Sequence, residues 1–464
     1  MAAHRPIESR YERCTRRWGG TWLNATLLKA TLVAALGGLL FGLDTAVISG
    51  TTKSLTRVFH LSPAMLGVTV SSALLGTIIG ASLAGWMAER YGRRDTLRLM
   101  AVLYVVSAFG CAFAWNWDVL LLSRVVGGLG IGGSSVLAPM YISEIAPPKI
   151  RGALVSCFQL NIVGGILLAY FSNFLITLRN LGATEWRWQF GVAAIPSLLF
   201  LVLLFAIPRS PRWLVKKGRI QEAAEVLLAI GSPNPQKEIA SIASSLAVED
   251  RHVNESVFGH RHIKPLLLAA SIAIFSQFSG INAVLYYLNE IFAGDGVSKV
   301  SEGMQTLAVG MTNLVFTALA MYCIDRLGRR FLLMLGSAGM SVSLFLIAWV
   351  FRGSGHNVYL VVLLIIYCAS FSFSIGAVLW VYISEIFPNA VRAKGLSFGS
   401  LLHWVANALI SGAFPSLAAH SRSAPFFIFG GMMAMHLVIV YCLYPETKQV
   451  SLEHVGVVVE RALN

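Results

Sequence analysis

Apolar residues gather into twelve long runs separated by short polar segments, each run close to the twenty or so residues that cross a bilayer as a helix. The runs fall at 27–50, 65–88, 96–115, 119–142, 155–178, 190–207, 263–291, 306–324, 331–351, 358–387, 396–417 and 425–444. The only long polar interval between them, 208–262, predicts two short amphipathic helices, at 219–230 and 235–246. The pattern predicts an all-α integral membrane protein of twelve transmembrane helices.

Two charges interrupt the apolar runs at similar depth. Asp44 sits in the first run and Arg124 in the fourth. An ionised side chain at the middle of a membrane helix costs roughly 2.5–3.5 kcal/mol on insertion scales, so each needs a partner, a cavity or a task. Taking the first helix to end near Gly50–Lys53 and the fourth to begin near Trp117, both lie about 9–13 Å from one face at 1.5 Å per residue. Contact between them is expected.

Composition agrees with the pattern: 56% hydrophobic and 12% charged residues, with mean hydropathy +0.70. That excludes a soluble enzyme. The net charge of +14 does not point to nucleic acid, because the basic residues are not in one patch. Arg5, Arg10, Arg13, Arg16 and Arg17 precede the first run; Arg90, Arg93, Arg94, Lys149 and Arg151 follow the even runs, as do Arg209, Arg212, Arg326, Arg329, Arg330, Arg392 and Lys394. With alternating helices all lie on one side, which by the positive-inside rule is cytoplasmic, together with both termini. The first run is too long for a cleaved signal and lacks a cleavage site, so it is read as retained. Cys14 is in the tail and Cys111, Cys157, Cys323, Cys368 and Cys442 are in apolar runs, without metal-ligand spacing. No metal or cofactor is expected, and no nucleophile–base pair marks an enzyme.

The chain repeats itself. Glu89-Arg90-Tyr91-Gly92-Arg93-Arg94 returns as Asp325-Arg326-Leu327-Gly328-Arg329-Arg330, and Tyr141-Ile142-Ser143-Glu144-Ile145 returns unchanged as Tyr382-Ile383-Ser384-Glu385-Ile386. Pro147 and Arg151 then match Pro388 and Arg392. The offsets, 325 − 89 = 236 and 382 − 141 = 241, are about half the chain. This predicts a tail at 1–26, a six-helix bundle at 27–207, a cytoplasmic linker at 208–262, a second bundle at 263–444 and a tail at 445–464. Arg clusters and Glu144 or Glu385 recur together at the cytoplasmic helix ends, so ion pairs that form in one conformation and break in another are expected there. The candidates are Glu89, Arg93, Arg94, Glu144, Arg151, Arg212, Asp325, Arg329, Arg330, Glu385, Arg392 and Glu446.

These motifs, with Pro208-Arg209-Ser210-Pro211-Arg212-Trp213-Leu214, Gln277-Phe278-Ser279-Gly280-Ile281-Asn282 and Pro445-Glu446-Thr447, resemble the sugar porter family of the major facilitator superfamily over roughly residues 27–447. Within it, Gly42-Leu43-Asp44-Thr45-Ala46-Val47-Ile48-Ser49 is most similar to the bacterial sugar/proton symporters; mammalian glucose facilitators carry Asn where Asp44 stands. The resemblance implies the major facilitator fold, two pseudo-symmetric six-helix bundles rocking about a midplane site.

A sugar needs polar groups for its hydroxyls and aromatic faces for its C–H surfaces, and inside a membrane these must line a cavity. Uncharged polar residues of the apolar runs are therefore candidates: Gln159, Gln277, Asn282, Asn313, His403 and Asn407. Trp380, Trp404 and Phe371 supply ring faces. His403 and Asn407 are i, i+4 and share a helix face, whereas Gln277 and Asn282 share one only loosely. Taken singly, a Trp in a membrane helix is commonly packing or an interfacial anchor, and an Asn commonly joins helices. The resemblance implies that Gln159, Gln277, Asn282, Asn313, Trp380 and Asn407 are sugar ligands. Against the family pattern, Ser276 stands for one Gln, His403 for Gln or Asn, Ala377 for the Pro after Gly376 that loosens helix ten, and Arg209 for a Glu, which predicts a rewired ion pair.

Burial favours a neutral Asp44 and the nearby Arg124 a charged one. A movement that parts them makes the carboxylate take up a proton, so the reading is proton-coupled import of a monosaccharide, hexose or pentose. The partners expected are sugar, protons and the bilayer, for a monomer in the cell membrane. An uncoupled facilitator is the nearest alternative. A non-transporting sugar sensor is a further one, disfavoured by the short tail after Thr447.

Overall fold

The computed structural model describes residues 24–252, 257–259, 262–293, 299–352, 357–388 and 391–448. The tail residues Arg5, Arg10, Arg13, Cys14, Arg16 and Arg17, and the part of 445–464 after Lys448, lie outside the described residues. Several helices start where a side chain satisfies a free N–H group. Asn24 caps the first helix by accepting from Thr26 N, Ser62 and Pro63 open the second, and Asn116 caps the fourth.

Among the described residues, twelve helical spans are long and apolar enough to cross a membrane. They are α1 Ala25–Phe59, α2 Pro63–Tyr91, α3 Arg93–Ala112, α4 Trp117–Ile145, α5 Arg151–Thr177, α6 Gly182–Ala206, α7 Ile263–Tyr286, α8 Ser301–Leu327, α9 Arg329–Val350, α10 Tyr359–Ile386, α11 Lys394–His420 and α12 Ala424–Leu443. Three linker helices, Pro211–Lys216, Ile220–Ala229 and Pro235–His252, follow α6. The first of these was not expected from the apolar pattern; Ser210 caps it and Pro211 opens it.

Packing obeys the repeat. α1 lies on α5 as α7 lies on α11, and α2 on α4 as α8 on α10. The bundles meet along two seams related by the same exchange, α2 with α11 and α5 with α8. At the end away from the basic loops the first seam is tight: a side chain at Gly67 would overlap the carbonyl oxygen of Gly412. At the basic end, α2 turns into α3 through Gly92 (φ 89°) and α8 into α9 through Gly328 (φ 91°), a backbone conformation that glycine adopts without a steric penalty.

Three helices depart most from the expected spans, one of them α6, which begins at Gly182, eight residues (190 − 182) before the expected start. α1 runs nine residues past Gly50 (59 − 50) because its polar end is buried between helices. Ser49 and Thr51 return their hydroxyls to carbonyls three residues back, and Lys53 pairs with Glu302 of the other bundle at 2.6 Å. Asp44 is consequently 15 residues (59 − 44) from the end of α1, deeper from the helix end than the sequence estimate. α7 is broken at Ser279–Gly280, where Gly280 takes φ 80°.

Candidate functional site

Arg124 Nη1 donates to Asp44 Oδ2 at 2.9 Å, so the two charges of the apolar runs meet. The bond is single, and Arg124 is 3% exposed while Asp44 is 14% exposed. Arg124 Nε is buried without a hydrogen-bond partner, and the guanidinium stands 5.7 Å from the Phe190 ring centre. A buried pair of this kind lacks the full set of bonds that would make it a rigid strut. Asp44 lies between two small cavities. One, inside the first bundle, is bordered by Tyr104, Ser107 and Cys111; the other, at the seam, by Phe41, Thr45, Tyr286 and Trp404.

On the second bundle the break in α7 creates what helical spacing alone would not. Ser279 closes the first segment, Gly280 redirects the chain, and a new helix opens at Ile281. Asn282 Nδ2 then donates to Gln277 Oε1 at 2.9 Å, although five residues of unbroken helix would only loosely align them. Gln277 and Ser276 both reach His403 on α11, at 3.0 and 3.1 Å. His403 is flanked by Trp380 and Trp404, ring centres 5.1 and 5.2 Å away, and Trp404 contacts Phe41 of α1 at 5.5 Å. The amide cluster and the charged pair thus border one seam.

The remaining candidates divide. Asn407 is buried, accepts from Ser411 at 2.9 Å and reaches the Tyr286 hydroxyl at 3.5 Å. Asn313 is also buried, and its oxygen accepts from Ser372 on α10 at 2.8 Å, which joins helices. Gln159 is half-buried on α5 and makes no side-chain hydrogen bond among the described residues. Phe371 packs against the backbone of Gly376, where a Cβ would lie 3.1 Å from its ring. Tyr286 and Phe41 were not singled out from sequence, since an aromatic in an apolar run reads as packing. The adjacent pair Tyr286-Tyr287 just after a glycine-marked break was the available signal.

α10 breaks at Ser374 (φ −124°, ψ −100°) although Ala377 replaces proline. Ser374 gives its hydroxyl to the Ser370 carbonyl at 2.6 Å, and the Ala377 N–H that a proline would lack donates to the Ser374 carbonyl at 3.1 Å. The break therefore does not depend on proline.

At the basic end, Arg93 pairs with Glu144 at 2.9 Å and Glu89 at 3.2 Å, and Arg329 pairs with Glu385 at 2.8 Å and Asp325 at 2.9 Å. Each set stays within one bundle. The hydroxyls of Ser210 and Thr447 donate to Glu144 and Glu385 respectively, so the segments after α6 and α12 are also counterparts (447 − 210 = 237). Glu446 differs from the expected ion pair. It accepts the backbone N–H groups of Arg329 and Arg330, both at 3.0 Å, at the positive start of α9. Its counterpart Arg209 cannot cap α3 and pairs instead with Asp95 in the first turn of α3 at 3.1 Å. Arg94 donates to Asp95 at 3.1 Å and to the Ile207 carbonyl at 3.2 Å. Arg330 donates to the Tyr441 carbonyl, and Arg212 to Ser245 Oγ at 3.4 Å. Arg151 and Arg392 donate to carbonyls five residues back, at 3.3 and 3.4 Å, with no carboxylate partner among the described residues.

The sequence model of the "Sugar (and other) transporter" family matches residues 30–458. The chain belongs to this family. It is 38% identical to the D-xylose-proton symporter of Escherichia coli K12, covering 92% of this chain and 94% of that one. The arabinose-proton symporter of Bacillus subtilis is 36% identical, over 91% and 92% of the two chains. Among solved structures, the inward open conformation of the xylose transporter XylE from E. coli superposes with TM-score 0.83 at 36% identity, over 94% of this chain and 100% of that one. XylE bound to 6-bromo-6-deoxy-D-glucose gives 0.78 at 36% identity, over 93% and 99%. The protein is a multi-pass membrane transporter with the major facilitator fold.

Proposed function

We propose that this chain imports a pentose or hexose together with a proton, as a monomer in the cell membrane with both termini in the cytoplasm and no nucleic-acid partner. The observation that carries the reading is the single 2.9 Å bond between Asp44 and Arg124, at the seam that also holds the amide and indole groups of Gln277, Asn282, Trp380 and Trp404. Relatives named as xylose and arabinose symporters with protons support it. The basic end is then cytoplasmic, and the closed Gly67–Gly412 seam faces outward, in keeping with the likeness to inward open XylE. The units that rock are residues 27–207 and 263–444, tethered by the linker 208–262. In the outward-facing form Glu144 and Glu385 would take Arg392 and Arg151 of the opposite bundle, guanidiniums that among the described residues hold backbone carbonyls here.

The test is Asp44→Asn in proteoliposomes with labelled D-xylose, D-galactose and D-glucose. Sugar exchange at equal pH should survive, while accumulation driven by a proton gradient should disappear. Undiminished accumulation would refute coupling through Asp44, and gradient-independent uptake by the unaltered protein would favour an uncoupled facilitator.

A further inference from the structure

The repeat that matches the two bundles at their basic ends fails at one place, and the failure leaves charge uncompensated. In the second bundle Arg330 has Glu446 against its backbone N–H, and the next residues on α9 include Phe331 and Met334. Their counterparts in the first bundle are Arg209, Asp95 and Arg98 (446 − 209 = 237, 331 − 95 = 236, 334 − 98 = 236). Asp95 is shared by three guanidiniums, Arg98 at 2.7 Å and Arg94 and Arg209 both at 3.1 Å. Three guanidiniums less one carboxylate leave two positive charges, whereas Arg330 and Glu446 cancel. The nearby acids are engaged elsewhere, Glu89 with Arg93 and Lys216, and Glu144 with Arg93 and Ser210.

The cluster stands at the head of an apolar surface. Arg98 lies five residues into α3 (98 − 93), about 7–8 Å along its axis. Its guanidinium is 4.2 Å from the ring centre of Phe205 and donates to the Leu204 carbonyl at the end of α6. Beyond it, Leu99, Val102 and Val106 of α3 and Leu198, Val202 and Phe205 of α6 are exposed, and on spanning helices such side chains meet acyl chains. All three guanidiniums are partly exposed. Arg94 Nη2 and Arg209 Nη1 make no hydrogen bond among the described residues. A guanidinium has five N–H donors in a fixed fork that matches phosphate oxygens, so the cluster has donors to spare.

We infer that Arg94, Arg98 and Arg209 form a binding site for the phosphate of an anionic phospholipid, whose acyl chain lies along the exposed faces of α3 and α6. Basic pockets between helices at a membrane surface take such headgroups. A zwitterionic headgroup fits worse, because its ammonium needs a carboxylate and Asp95 is already shared three ways. Through Arg209 the phosphate would tie the start of α3 to the segment after α6. Glu446 makes the equivalent tie in the second bundle by itself. The site needs neither a sugar nor a proton gradient to be filled.

Lipid binding by the purified protein, stripped of lipid in a neutral detergent, tests it. In native mass spectrometry, dioleoyl-phosphatidylglycerol should be retained in preference to dioleoyl-phosphatidylcholine. One basic residue changes affinity for an anionic lipid about fivefold, so Arg98→Met should weaken binding about fivefold and Arg209→Glu, a change of two charges, about 25-fold. Arg326→Gln, at an exposed arginine stacked on Tyr322 of the other bundle, should change it little. The rise in melting temperature that phosphatidylglycerol gives should shrink in the same order. Should Arg209→Glu not fold, Arg98→Met and Arg209→Gln carry the same comparison. Equal retention of the two lipids overturns the inference. So does a loss in Arg326→Gln as large as in Arg209→Glu, which would mean general attraction to a basic surface. Inorganic phosphate that displaces phosphatidylglycerol and stabilises the protein equally would assign the cluster to a soluble anion and overturn the lipid site.

Discussion

The first helices of the two bundles begin alike and do different work. Gly42-Leu43-Asp44 and Gly280-Ile281-Asn282 stand at an offset of 238 (282 − 44). In α1 the helix continues through Gly42, where a side chain would overlap the carbonyl of Ile162 on α5. In α7 the helix stops at Gly280, whose positive φ ends one segment and starts another. Close packing keeps Asp44 on an unbroken rod, from which it reaches across to Arg124 on α4. The break lets Asn282 fold back onto Gln277. The duplicated bundles thus keep the same scaffold contacts, α1 on α5 and α7 on α11, and diverge at the residue two places after the glycine. A carboxylate paired with a guanidinium sits on the unbroken helix; a bonded amide pair sits at the break in the other.

The largest effect that would break this comparison is expected at the charged pair. Asp44→Leu leaves a 3% exposed guanidinium without its counterion, and arginine cannot shed its proton. Stability should fall by about 3–5 kcal/mol. Arg124→Leu should cost less, because a stranded carboxyl can take up a proton, and Asp44→Leu/Arg124→Leu should recover most of the loss. Thermal melting of the purified protein in detergent reads all three. Equal losses for the two single variants, with no recovery in the double, would mean that Asp44 and Arg124 act independently.

Somewhat smaller effects are expected at the glycines. Gly280→Val places a branched side chain in the left-handed region and against the Phe429 ring, for about 2–4 kcal/mol from strain and overpacking together. Because the break orients Asn282, this variant should lose D-xylose exchange even where folded protein is recovered. Gly42→Ala should instead separate α1 from α5 and lower the melting temperature, with exchange kinetics of the surviving protein changed less. The reverse ranking would show that the two glycines do not differ in kind.

These contrasts mark what the sequence could and could not convey. Spans were legible because burying backbone in a bilayer demands a length of apolar residues, and Glu144 with Arg93 was legible because the same letters recur at Glu385 and Arg329. The far end of α1 was not, since Ser49, Thr51 and Lys53 look like a polar exit and become buried only against other helices. Nor was the Gln277–Asn282 bond, because regular helical spacing fails at a kink. Arg209 was legible as a departure, but its new partner Asp95 was not, because pairing across 114 residues depends on where the segment after α6 docks. Glu446 shows the converse: an acid in a charged motif turned out to serve backbone N–H groups.

The smallest predicted effect sharpens the comparison at the end away from the basic loops, where the bundles touch. Glu290 follows α7, and burial raises its pKa above the ordinary 4.5, opposed by the Thr52 hydroxyl and the Lys53 charge from α1. A carboxyl raised in the folded state binds protons more tightly there than in the unfolded chain. It therefore weakens stability as pH rises from 4.5 through the raised value, and the penalty is absent below 4.5. Glu290→Gln removes that penalty, so its gain should be largest at pH 7.5 and vanish by pH 4. Because the contact joins α1 to the segment after α7, it forms only while this end is closed, and the gain should also bias the transporter toward the closed arrangement. Melting curves at the two pH values check the sign. A variant less stable than the parent at pH 7.5 would mean that the Lys53 attraction outweighs the cost of burial, and that Glu290 is a charged latch between the bundles.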